Sequence, residues 1–131
     1  MPQMIMDHQD DPKQTLLKSL GKEYSSFKIF NNQVLCAVYV RPQKTKGGVL
    51  LPHMTTDEDK IQGKVGLVIS MGPMAFVDDS NSWFKDANIN IGDWVVFRPS
   101  DGWSVTINGN ICRILDDTNI RGTIPHPDLV W

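Results

Sequence analysis

The sequence predicts a mainly β protein: a small β-barrel with two long loops and a short helical arm at its N-terminus. Three observations predict it. Short β-prone runs recur from Phe27 onward with turn residues between them, the pattern of a small barrel or sandwich. One run, Val34–Val40, is apolar nearly throughout, as a buried strand is. Asn108-Gly109 joins the runs Ser104–Ile107 and Ile111–Leu115. A tight hairpin needs positive φ at both turn positions, and Asn-Gly suits both.

The elements follow in order. Residues 1–10 are polar, Met-rich and without periodicity, and read as a flexible arm. Asp11 can cap a helix, Pro12 suits its first position, and Gly21 suits the position just past its end. Leu16, Leu17 and Leu20 share one face. So short a helix is marginal alone in water and needs a surface to dock on. Residues 1–26 are therefore set apart as an arm, 27–124 as the barrel domain, and 125–131 as a tail. The expected strands are Phe27–Phe30, Val34–Val40, Val65–Ile69, Trp94–Phe97, the two arms of the hairpin, and Ile120–Ile124. Pro125 and Pro127 then end regular pairing, since neither can donate to a ladder. The connections 41–63 and 70–91 are too long for simple hairpins. Structureless loops beyond ~12–15 residues are uncommon in compact domains and usually have a role.

Composition narrows the function. At 131 residues and 14.8 kDa the chain is one domain and an arm, large enough for a core without disulfide or metal staples. Thirteen basic residues against 15 acidic give a net charge of −2, which argues against nucleic acid. No apolar run approaches the ~20 residues of a membrane span. The N-terminus lacks the basic start and apolar core of a secretory signal. Cys36 and Cys112 lie in apolar runs and read as buried, reduced thiols, so the expected setting is cytoplasmic.

The loop 41–63 carries the functional argument. Its flanks are polar, with Lys44, Thr45 and Lys46 before and Thr55 to Lys60 after. Its centre is Gly47-Gly48 followed by Val49-Leu50-Leu51. Two glycines make a hinge with little backbone preference. Three consecutive aliphatics in a polar loop read either as a lid tucked on the barrel or as an apolar tag that docks into a groove on another protein. A tethered tag is ordered only on binding, so each docking is weak, and several tags on one ring compensate through effective concentration.

Residues 27–124 resemble the GroES-type co-chaperonins, the chaperonin-10 fold. Val34 to Arg41 is similar to the family's first long strand, which ends in a basic residue and enters the mobile loop. Gly47 to Leu51 resembles the Gly-Gly plus aliphatic-triplet motif of that loop. Gln62 to Gly72 resembles the "G-x-V-x-x-V-G" return strand, and Ile91 to Phe97 the "V-G-D-x-V-x-F" strand. Asp116 to Ile120 resembles the closing "E-x-D-I" element.

The resemblance implies a non-enzymatic lid that caps an ATP-driven double-ring chaperonin and assists folding. Val49, Leu50 and Leu51 would dock into an apolar groove of the chaperonin's apical domain, with Gly47 and Gly48 as the hinge. The family forms rings in which edge strands of neighbours meet. Here those edges would come from Phe27, Ile29 and Phe30 on one side and Ile120 and Ile124 on the other. The chain departs from the family in its 26-residue arm, its tail to Trp131, and a second loop containing Trp83 and Phe84 where the family's second loop forms the roof.

Other chemistry finds little support. His8, His53 and His126 are isolated, with no partner at metal-ligand spacing. Asp57 to Asp59, Asp78-Asp79 and Asp116-Asp117 read as solvated turns, and the first lacks the pattern of a calcium loop. No phosphate-binding loop or nucleophile motif appears, and no cofactor is expected. Arg98 to Trp103 contains Ser and Asp, but Pro-Ser-Asp-Gly is what a turn needs. A second reading reuses the barrel as a structural virion protein, a capsid decoration or cement on a major capsid protein, with arm and loop lacing neighbouring subunits. It draws on the extended termini and on Trp94, Trp103 and Trp131. A divergent, virus-encoded co-chaperonin would reconcile these termini with the loop motif.

Overall fold

A computed structural model describes residues 11–21, 27–40, 63–77, 84 and 88–130. Its elements are α1 (Pro12–Leu20), β1 (Gln33–Val38), β2 (Val65–Met71), β3 (Trp94–Val96), β4 (Trp103–Ile107), β5 (Asn110–Asp116) and β6 (Gly122–Ile124). Short 3-10 turns cover Asp117–Asn119 and Pro127–Val130. The strands form one antiparallel sheet in the order β4-β5-β1-β2-β3-β6. The mainly β fold with one short helix is therefore as the sequence predicts.

The central strand explains the long apolar run. β1 pairs with β5 on one side and β2 on the other, so its backbone is satisfied within the sheet. Its side chains alternate, as strand geometry requires. Leu35, Ala37 and Tyr39 enter one core cluster, with Val65, Leu67, Trp94, Cys112 and Ile114. Val34, Cys36 and Val38 enter a second, with Val68, Val95, Phe97 and Leu115. A bulge opposite Leu35/Cys36 gives β2 an extra residue, Ile69, and keeps both faces in phase.

The hairpin is the one expected. Ile107 pairs with Asn110, and Asn108 and Gly109 between them have φ of 50° and 78°. The helix also caps as its sequence predicts: the Asp11 carboxylate accepts from Lys13 N–H at 3.3 Å, and Gly21, at φ 66°, donates to Lys18 O. Leu20 is fully buried in the first cluster, with Leu16 and Leu17 packed on it. Asn108 and Asn110 each donate a side-chain N–H to Ser19 O at 3.0 Å, which ties the helix end to the hairpin turn. The helix of the expected arm thus closes the core of the domain that follows it.

Two expectations need correction. Phe27–Phe30 stays out of the sheet: Ile29 is buried in the first cluster and Phe27 packs against it, so core packing rather than ladder pairing fixes this segment. Regular pairing ends at Ile124, ahead of Pro125 and Pro127, and Pro127 starts a 3-10 turn in which Pro127 and Asp128 are buried. Asp117, expected in a solvated turn, is buried, whereas Asp116, the last residue of β5, is exposed. The expected flexible arm 1–10 lies outside the described residues, as do Asp57 to Asp59, Asp78-Asp79, Trp83 and Trp131.

Cys36 and Cys112 are both free and buried, one in each cluster. Burial pushes the Cys36 thiol far up, with the charge of Cys112 acting the same way. Burial pushes Cys112 up to about 11, against a smaller lowering by a backbone hydrogen bond from Ile107.

Two outcomes are expected. Leu20→Ala should destabilise the domain by about 2–5 kcal/mol, read as a lower urea midpoint with unchanged slope. A shift below about 0.5 kcal/mol would show that the helix is not part of the cooperative core. Neither thiol should react with a disulfide reagent at pH 8 in the native protein, and both should react in urea. Because both folded values are raised, their contribution to stability is complete below about pH 8.5 and is lost as pH rises toward the folded values. Rapid native labelling at pH 8 would contradict the burial.

Candidate functional site

Candidate function concentrates where the two long connections leave the sheet. The first leaves β1 and re-enters at β2. These strands are antiparallel neighbours, so the segment begins and ends at the same place on the sheet. Tyr39 N–H donates to Val65 O at 2.9 Å, extending the pairing one residue past β1, and Phe97 N–H holds Lys64 O at 2.9 Å. Tyr39 is itself buried: its ring meets Trp94 edge-on at 5.6 Å, and its hydroxyl donates to Asp128 Oδ1 at 2.5 Å. Gly47, Gly48, Val49, Leu50 and Leu51, the expected chaperonin-binding residues, lie outside the described residues.

The second connection starts from a built corner. Gly72 N–H donates to Gln33 O at 2.8 Å and Met74 N–H to Asn31 O at 2.9 Å, so the turn after β2 lies on the turn before β1. A side chain at Gly72 would collide with the carbonyl oxygens of Asn31 and Phe30. Asp117 locks the corner. Its carboxylate accepts from Asn32 Nδ2 and from Phe76 N–H, each at 3.1 Å. Its own N–H donates to Asn32 O at 3.1 Å. Phe76, held at φ 60°, then meets Phe84 edge-on at 5.5 Å. The connection returns through Asn90 N–H, which donates to Asp93 Oδ2 at 2.9 Å, and Gly92 N–H, which donates to Val68 O.

The five expected interface residues divide. Phe30 is 61% exposed with Lys28 Nζ 5.8 Å from its ring centroid. Phe27, Ile29 and Ile124 pack on the first cluster and Ile120 on the second. β6 stands at one end of the strand order. An open groove between the first turn of α1 and this strand is lined by Lys13, Asp93, Trp94, Thr123, Ile124 and Pro125.

Among the described residues Arg113 is a buried cation. It donates to Asp101 O at 2.7 Å, and its guanidinium lies 5.9 Å from the Phe97 ring centroid. Burial lowers its pKa, opposed by the charge of Asp101. These contacts close the Arg98–Gly102 turn, whose Asp101 N–H donates to Arg98 O at 3.0 Å. Among the described residues no three His, Cys, Asp or Glu side chains gather as a metal site, and no helix is long and apolar enough to cross a membrane.

Sequence reasoning missed the roles of Asp117, Asp128 and Tyr39. Asp117 carries no distinguishing signal beside Asp116. Pro127-Asp128 does carry one: a proline that can start a helical turn, followed by an acidic residue.

The family model for the chaperonin 10 kDa subunit matches residues 26–124, which spans all six strands. The co-chaperonin GroES of Pelagibacter ubique is 31% identical over 96 residues, covering 73% of this chain and 94% of that protein. The co-chaperonin GroES of Methylorubrum populi is 26% identical over 98 residues, covering 75% and 96%. Co-chaperonin GroES 1 of Mesorhizobium japonicum is 32% identical over 81 residues, covering 62% and 72%. With a match that runs from residue 26 to the end of β6, the chain belongs to the chaperonin 10 kDa subunit family.

Proposed function

We propose that this protein is a co-chaperonin: a cytoplasmic, non-enzymatic lid that binds a double-ring, ATP-driven chaperonin and assists folding. The observation that carries the reading is the family match over residues 26–124, with the Gly-Gly-aliphatic motif between β1 and β2. In this reading Val49, Leu50 and Leu51 enter an apolar groove on the chaperonin's apical domain, and Gly47 and Gly48 let the segment change direction. Three aliphatic side chains bury little surface, and ordering their tether costs conformational entropy. Affinity then comes from repetition, so the lid acts as a ring in which one docked segment raises the effective concentration of the rest.

Ring assembly in this reading joins the Phe27–Phe30 segment of one subunit to the Ile120–Ile124 edge of the next. The exposure of Phe30 and the position of β6 at the end of the strand order support it. Phe27, Ile29, Ile120 and Ile124 would contribute mainly backbone pairing, since their side chains already pack in their own subunit. The virion reading expects the N-terminal arm to reach a neighbour. Its helix instead packs on the core of its own chain, so no observation favours that reading over the co-chaperonin.

The test is size-exclusion co-elution of the purified protein with a double-ring chaperonin and ATP. Leu50→Asp places a charge where the groove is apolar, and it should weaken co-elution by roughly a hundredfold or more while leaving the sheet folded. Undiminished co-elution of the variant would exclude the triplet as the docking element. Absence of wild-type binding to the cognate chaperonin would exclude the lid role.

A further inference from the structure

We infer that the C-terminal turn Pro127–Val130 clamps the root of the 41–63 segment, with Asp128 as the positioning residue. The argument starts from placement. Asp128 lies beyond residue 124, where the family match ends, yet it is among the most buried polar residues described, at 3% exposure. A carboxylate is taken out of water only where hydrogen bonds compensate. Tyr39 Oη supplies one at 2.5 Å, the length of a charge-assisted O–H to carboxylate bond. Tyr39 is the residue whose N–H makes the β1–β2 bond nearest the segment.

The turn is organised to hold that carboxylate. Asp128 N–H donates to His126 Nδ1 at 3.2 Å and Leu129 N–H to His126 O at 3.2 Å. Pro127 is fully buried and presets the backbone entering the turn. The turn also packs against β2, the strand by which the segment returns. Asp128 thus holds the Tyr39 hydroxyl, Trp94 packs on its ring, and Tyr39 fixes the exit beside Val65. The consequence for docking rests on the proposed function: a fixed root narrows the conformations that the segment must give up on binding.

The test is amide hydrogen exchange on the full chain, comparing Tyr39→Phe, Asp128→Ala and the double variant. Each should speed exchange at the Tyr39 and Phe97 amides by about tenfold, the scale of a lost hydrogen bond to a charged group. The double variant should not exceed Asp128→Ala, which removes the Tyr39 bond together with the His126 contact. Asp128→Asn keeps an acceptor for the hydroxyl and should restore most of the protection. Amides of the Asp117 corner, Met74 and Phe76, which lie at the opposite end of β1, should not change. Unchanged exchange at Tyr39, or an equal rise across the whole sheet, would overturn the positioning role. Chaperonin co-elution of the same variants separates the two readings. A wild-type protein that fails to bind sinks the lid alone, and the exchange pattern decides the clamp independently.

Discussion

The structure depends on one constraint: β1 is apolar on both faces. Its two ladders satisfy its backbone, but its side chains point alternately into two separate clusters. A single sheet can cover one face by curling, and the other then needs cover from outside its strands. Both faces recruit cover here. α1 and the Phe27–Ile29 segment pack on the first, and Ala75, Phe76, Ile89 and Ile120 pack on the second. Burying a large aliphatic side chain contributes about 1.5–3 kcal/mol. The covering segments are thus integral to the fold, including a helix that lies ahead of the family match.

Apolar cover is non-directional and would allow these segments to slide. Polar groups fix their positions. Asn108 and Asn110 hold Ser19 O on the helix side, and Asp117 holds Asn32 and Phe76 on the other. Asp128 holds Tyr39 at the third junction. Each contact joins residues far apart in sequence, and the carboxylates of Asp117 and Asp128 accept hydrogen bonds from distant segments. Buried polar groups are weak evidence for stability, since their desolvation consumes much of what the bonds return. Their clearest effect here is registration: each fixes one covering segment at one height on the sheet.

The sheet was legible in the sequence because its signals are local. Asn108-Gly109 names its own turn type, Asp11-Pro12 and Gly21 mark both ends of a helix, and the Val34–Val40 run announces a strand with both faces covered. Strand Phe27–Phe30 was misread for a physical reason. Its β-propensity is real, but propensity reports a fit to a half-buried surface, and Ile29 finds that surface without a ladder. Pro127-Asp128 marks a turn, but the burial of Asp117 and Asp128 was illegible because it depends on partners 41 and 89 residues away. The motif proposed for docking, Gly47 to Leu51, was legible only as a pattern, and it lies outside the described fold.

These features divide the labour between sheet and loops. A weak docking element works best when little of its binding energy is spent on ordering the chain around it. Loop-closure cost grows only slowly with length, so a long segment is tolerable provided its two ends are already held together. The antiparallel β1–β2 pair does this through its ladder, and Tyr39, at the last bond of that ladder, carries the Asp128 contact. The second connection is treated the same way, with Asp117 tying its start to the turn before β1. Both roots are thus secured by a buried carboxylate on an element C-terminal to β5. The last fifteen or so residues of the chain therefore do more than close the sheet: they set the geometry from which both long connections depart.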